Sequence, residues 1–282
     1  MQNHRFTAGI RRRVAVGAVG AGILALVGAA VPGTAFAAPR PAGTPAAPAA
    51  SSTVPTTTAT VAPAAGDPTG TGANVSSPEC STSIFTAAQQ KVEGELADRV
   101  TQLEDLAGRV NGSTTVTSGD KSALTDQITG TELPGIQALQ TAVQGDTTCA
   151  QLRTDAHSMV YDYRVYLVMT PETDLVLATD TAGAVETQMA NLESTISAAI
   201  TKAQSESKDV SGAQSAFSDF EAQVSASQGL TNGQSATLLA LTPQGCPGNV
   251  STLQGARSNL QTVRQDLQAA RADLGTIRQD LS

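Results

Sequence analysis

The sequence predicts an all-α fold, an elongated antiparallel helical bundle with coiled-coil-like helices behind a disordered linker, on three grounds. Beyond residue 79 the apolar side chains recur in steps of three and four over long stretches. Aromatic residues are scarce, six beyond residue 37 and no tryptophan, so Leu, Val, Ile and Ala must build the core, which suits packed helices better than a sandwich or barrel. Residues 38–78 hold eight of the 13 prolines and almost no Leu, Ile or Phe, so they cannot bury a core of their own.

Residues 1–37 have the three parts of an export signal: a basic start (Arg5, Arg11, Arg12, Arg13), an apolar run from Val14 to Val31, and Ala35-Phe36-Ala37 as a cleavage site before Ala38. The apolar run is long enough to span a bilayer core, but it is mostly Gly, Ala and Val, which favours a cleaved signal over a retained anchor. The arginine cluster is also compatible with twin-arginine export. Residues 38–78 read as an extended spacer whose Thr-rich centre (Thr53, Thr56, Thr57, Thr58, Thr60) is either a glycosylated stalk or a plain linker. A helical domain over 79–282 follows, with no second membrane-spanning stretch. Taking four arginines from 17 basic residues leaves 13 against 25 acidic ones, a net charge of -12 that disfavours nucleic acid as a partner.

The first helix runs from Ser81 to Val110 on a stripe of Val92, Leu96, Val100, Leu103, Leu106 and Val110, with Asn111-Gly112 as its stop. The second starts near Ser118, carries Leu124 and Ile128, is interrupted at Leu133-Pro134-Gly135, and resumes through Ile136, Leu139 and Val143 to Gly145. The third opens at Thr148. The fourth takes Thr170 as N-cap and Pro171 as first residue, and its stripe from Leu175 through Ala182, Met189 and Ile196 to Ala203 predicts an unbroken coiled-coil seam. The fifth begins at Asp209, carries Val210, Ala213, Phe217, Phe220 and Val224, and breaks near Gly229; an apolar piece, Leu238 to Leu241, follows.

The last helix, capped by Asn249, has a heptad repeat. Leu260, Leu267, Leu274 and Leu281 form a seam with Ala256, Val263, Ala270 and Ile277. Arg257, Arg264, Arg271 and Arg278 flank it on one side, and Asp266, Asp273 and Asp280 on the other. These rows are either solvated or directed at neighbouring helices, and helix 250–282 is also a candidate surface for homo-oligomerisation.

Three cysteines in an exported chain leave at least one unpaired. Cys80 precedes the first helix, and the second returns the chain to that end, where Cys149 opens the third. With Tyr163 to Thr170 extended, the third helix and this strap reach the far end, the fourth helix climbs back and the fifth descends. This path pairs Cys80 with Cys149 and puts Cys246 free at the far end.

No motif for nucleophilic catalysis or phosphate binding appears, and no metal-ligand cluster or cofactor motif. His157, the one histidine beyond the signal, lies between Ala156 and Met159 and reads as a structural or solvent-facing imidazole. Glu93 with Glu95 and Glu104 with Asp105 read as solvated faces. Only Tyr161-Asp162-Tyr163-Arg164-Val165-Tyr166-Leu167-Val168-Met169 breaks the helical rhythm, and it predicts an extended crossover. Tyr161, Tyr163, Arg164 and Tyr166 are the candidate binding residues, since Tyr and Arg commonly anchor binding surfaces. A strap packed on the bundle with its hydroxyls satisfied is the alternative.

Thr131-Glu132-Leu133-Pro134-Gly135-Ile136, the stretch from Asp162 to Pro171, and Pro247-Gly248-Asn249 before an Arg-x-Asp-Leu tail resemble a group of secreted helical proteins from high-GC actinobacteria. The resemblance spans nearly the whole helical domain and implies export and a helical fold; the group has no established activity. It tends to have an aromatic residue where this chain has Cys246, which makes that cysteine the one of the three least tied to a structural role. The expectation is a non-catalytic secreted or cell-wall-associated helical protein of unknown partner, either an envelope protein or a glycan. The alternative is a binding protein for a wall glycan or small ligand that uses the tyrosine-rich crossover.

Overall fold

The computed structural model describes residues 80–282; the expected export signal, its expected cleavage site and the expected spacer lie outside the described residues. Those residues are helical, with no strand among them. The helices are α1 (Thr82–Gly112), α2 (Ser118–Thr125), α3 (Leu133–Gly145), α4 (Cys149–Tyr161), α5 (Thr170–Ala190), α6 (Glu193–Ser205), α7 (Ser211–Thr231), α8 (Gln234–Leu239) and α9 (Asn249–Asp280). Two π-helical segments, Asp126–Glu132 and Val165–Met169, lead directly into α3 and α5.

The stripe read on α1 is the core of one end of the bundle. Leu96, Leu103, Leu106 and Val110 are buried against Leu124, Ile128, Ile136 and Val143 of the antiparallel α2–α3 arm. Each such side chain stabilises by about 1.5–3 kcal/mol through burial. Thr117 caps α2 by accepting from Asp120 N, and Thr148 with Gln151 forms a capping box on α4. The disulfide between Cys80 and Cys149, Cα atoms 6.1 Å apart, ties the start of α1 to the start of α4 as expected.

Leu133-Pro134-Gly135 does not interrupt its helix. Proline lacks an N–H and its ring strikes the carbonyl four residues back. The carbonyls in question, Gly130 for Pro134 and Leu167 for Pro171, both lie in π segments, whose wider turns let the helix pass.

The predicted extended crossover is likewise helical. Arg164 is left-handed (φ 43°) and bends the chain after α4; its carbonyl then accepts from Leu167 N and Val168 N and starts the second π segment. The inward residues, Val165, Val168, Met169, Glu172, Thr173 and Val176, keep helical spacing. Outward-facing Tyr166 and Leu167 disguised that spacing as a continuous apolar run. Thr170 is consequently inside a continuous helix and caps nothing through its side chain.

This bend also corrects the predicted path. The chain continues from α4 into α5 without reversing, so α5 runs parallel to α1: Arg99 reaches Tyr166, Arg109 bonds Asp174, and Thr115 bonds Thr181. The predicted four-heptad helix ends at Ala190, because Leu192 N bonds Met189 O in a tightened turn that separates α5 from α6. The seam is therefore not continuous, and Ala199 is exposed. Helix α7 then descends antiparallel to α5, with Ser227 and Thr231 on Glu186, and α8 follows with Gln234 on Thr179. The α7–α8 turn uses Gly233 at φ 72°, where a side chain would be strained.

The segment after α8 comes to rest midway along the bundle, where Gln244 Nε2 donates to Asp162 O. Cys246 is free as expected, but it lies beside this junction and not at the far end. Gly248, and not Asn249, is the N-cap of α9; Asn249 instead donates from Nδ2 to Thr242 O. Helix α9 climbs antiparallel to α7. It adds Leu253, Ala256 and Leu260 to the α1–α5 core, and further on packs Ala270 and Leu274 with Phe220 and Val224. Leu281 joins Ile200, Ala203, Val210 and Ala213. Within the predicted seam Leu267, Leu274 and Leu281 are only half-buried, while Val263, Ala270 and Ile277 are buried. The Arg row is exposed, whereas Asp273 is directed at α7, where Gln223 meets it. Among the described residues no helix is long and apolar enough to cross a membrane.

Candidate functional site

The bend between α4 and α5 brings the sequence-predicted residues onto one corner of the surface. Tyr161 and Tyr166 are about half exposed, as are their neighbours Val160 and Leu167. These are four of the five large hydrophobic side chains found exposed among the described residues; the fifth, Ile84, lies at the start of α1. Scattered exposed apolar residues need no explanation, but four of them within eight residues of one bend do. Both tyrosines are held by cations. The Arg99 guanidinium lies 5.1 Å from the Tyr166 centroid, and that of Arg164 lies 5.3 Å from Tyr161. His157 stacks on Tyr161 at 4.1 Å, so it serves as a support for the ring. Arg164 also donates from Nε to Tyr161 O at 3.0 Å.

Tyr163 departs from this group. It turns inward over Gly135, where only a glycine leaves room: a Cβ there would strike the Tyr163 ring and stand 2.8 Å from its hydroxyl oxygen. Its pKa is raised by burial, then by the charges of Glu132 and Asp162. Tyr163 therefore has the strap role, and Tyr161, Arg164 and Tyr166 the surface role.

The inner side of the same junction holds residues that sequence reasoning missed. Glu132 closes the first π segment and is 6% exposed; Glu172, in the first turn of α5, is 0% exposed. Glu132 Oε2 and both carboxylate oxygens of Glu172 have no hydrogen-bond partner, and neither has Gln127 Oε1, whose Nε2 donates to Leu239 O at 3.0 Å. Burial pushes the Glu132 carboxyl up to about 7. It pushes Glu172 up to about 8, with the Gln127 amide pulling the other way and the Glu132 charge adding to the rise. The signal was available in the sequence. Glu132 occupies a slot of the stripe Leu124, Ile128, Ile136, and Glu172 a slot between Val168 and Val176.

A third carboxylate, Glu186, is also buried but satisfied, accepting from Ser227 Oγ and Thr231 Oγ1. It borders an open polar groove of about 940 Å³ between α5, α7 and the α1–α2 turn, lined among others by Thr117, Asp120, Asp180 and Ser235. Asp180 pins that turn, accepting from Thr117 N (3.0 Å) and Ser235 Oγ (2.7 Å). Its pKa is raised by burial, against the effect of these two bonds, with Asp120 adding to the rise. Among the described residues no three or more His, Cys, Asp or Glu converge as a metal cluster. Comparisons with protein-family models, curated proteins and solved structures give no match to this chain.

Proposed function

We propose that this protein is a non-catalytic, exported, envelope-associated helical module that docks a partner through the corner formed by Val160, Tyr161, Arg164, Tyr166 and Leu167. One observation carries the reading: four of the five exposed large hydrophobic side chains fall within eight residues, two of them tyrosines held by guanidinium groups. Aromatic and arginine anchors with apolar neighbours are the usual composition of a binding centre. Export is supported by the signal-like residues 1–37, by the resemblance to secreted helical proteins, and by a disulfide that persists in oxidising compartments.

The test is binding of the purified chain to isolated envelopes of the producing cell, comparing wild type with Tyr166→Ser/Leu167→Ser. The expected result is loss of binding in the double variant, with the helical circular dichroism unchanged and a groove variant, Ser235→Ala, still bound. Equal binding of wild type and double variant refutes this docking corner. Envelopes treated beforehand with protease or with a wall-digesting glycosidase distinguish a protein partner from the glycan alternative.

A further inference from the structure

We infer that Gln127, Glu132 and Glu172 form an internal site for a single hard divalent cation, calcium before magnesium. Four oxygen atoms are involved, Gln127 Oε1, Glu132 Oε2 and both of Glu172; all are buried and none accepts a well-formed hydrogen bond, the Gln127 amide being the one donor group near Glu172. Buried polar atoms are ordinarily satisfied, and buried carboxylates are paired or coordinate a cation. No cationic side chain of the surrounding helices is directed here. Lys121 donates to the carbonyls of Asn111 and Ser113, Arg99 pairs with Glu95 under Tyr166, Arg109 pairs with Asp174, and Arg164 holds Tyr161. Arg153 on α4 and Arg257 on α9 are exposed.

Their own protons keep the two carboxyls neutral up to about 7 and about 8, and a cation that displaces those protons satisfies acceptors where a neutral donor would leave some unmet. Two carboxylates balance one divalent charge, and an all-oxygen donor set suits a hard ion, whereas soft metals favour thiolates. Gln127 and Glu132 are one π turn apart, and Glu172 faces them from α5. In such an enclosed position calcium is preferred, because magnesium gives up its water reluctantly and demands near-ideal octahedral geometry. Glu132, the least enclosed of the acids, marks the way in.

The experiment is calorimetric titration of the chelator-treated chain with calcium, magnesium and manganese chlorides, with thermal unfolding in parallel. One calcium ion per chain is expected, with a dissociation constant of about 1 mM or tighter and a higher Tm in calcium. Glu132→Gln/Glu172→Gln should lose both responses, while Glu186→Gln, whose carboxylate is already hydrogen-bonded, should keep them. Because the acidic surface could bind calcium loosely, equal binding by the double variant and the wild type overturns the site, as does absence of binding in wild type. Gln127→Glu keeps the test decisive if the double variant does not fold: a third carboxylate should tighten calcium binding about tenfold, since affinity follows ligand charge. Unchanged affinity in that variant also overturns the site.

Discussion

Replacing Gly135 by alanine tests the α3–α4 packing with a single methyl group. A glycine inside a helix costs about 1 kcal/mol relative to alanine, so alanine at an unobstructed site should stabilise. Gly108, exposed in α1 with nothing within 4 Å of an added Cβ, is such a site. At Gly135 the added atom meets the Tyr163 ring and hydroxyl, which are held between α3 and the bend. Overpacking of this kind costs about 1–3 kcal/mol, enough to cancel or reverse the helical gain. Gly108→Ala should therefore raise the urea midpoint, and Gly135→Ala should lower it or leave it flat. Adding Tyr163→Ala should remove the penalty for the methyl group, giving a coupling of about 1–3 kcal/mol in a double-mutant cycle. Equal stabilisation by the two alanines, or additive behaviour with Tyr163→Ala, would show that the ring does not rest on Gly135.

In chelator, stability should fall as pH rises. Glu132 and Glu172 keep their protons up to about 7 and about 8 when folded, against 4.5 normally, so their contribution is complete below about 4.5 and is lost through that window. The slope is about 1.4 kcal/mol per pH unit per group. Urea midpoints that do not change between these limits would refute the assignment, and Glu172→Gln should flatten the profile. Cys80→Ser should cost about 4 kcal/mol on the chain-entropy estimate for a loop of 69 residues, and non-reducing peptide mapping should find Cys246 unlinked. Any link to Cys246 contradicts the fold. On α9, Leu260→Ala should cost about 2–5 kcal/mol and Arg264→Ala about 0–1 kcal/mol; equal losses would mean the seam is not buried.

The fold class was legible because periodicity survives wherever apolar residues face in and polar ones face out. Leu96, Leu103, Leu106 and Val110 are the plain case: they lie on one face and are all fully buried. It failed where that correspondence is inverted. Tyr166 and Leu167 are apolar and face out, so a helical turn read as a strand; Glu132 and Glu172 are carboxylates that face in, so two buried slots read as polar surface. The α5–α6 break was invisible for a different reason. A hydrogen bond from Leu192 N to Met189 O ends one helix and begins the next without changing which residue types follow one another. The misread crossover therefore misplaced Cys246, although the disulfide, which depends only on the α1 to α4 stretch, was assigned correctly.

Tyr166, Leu167 and Glu172 belong to one continuous stretch. The second π segment turns Tyr166 and Leu167 outward and Val168 and Met169 inward, and it delivers Glu172 to the interior three residues later. Arg164 at positive φ starts that segment, a backbone state that costs a non-glycine residue about 1–3 kcal/mol and persists only where surrounding contacts enforce it. Those contacts run to both sides: Arg164 holds Tyr161 outside, while Met169 and Val165 anchor the turn in the core inside. Tyr166 and Leu167 outside and Glu172 inside thus follow from one short, strained turn. A change that closes or widens that turn from within is therefore expected to shift Tyr166 and Leu167, two residues of the proposed docking surface, together with Glu172.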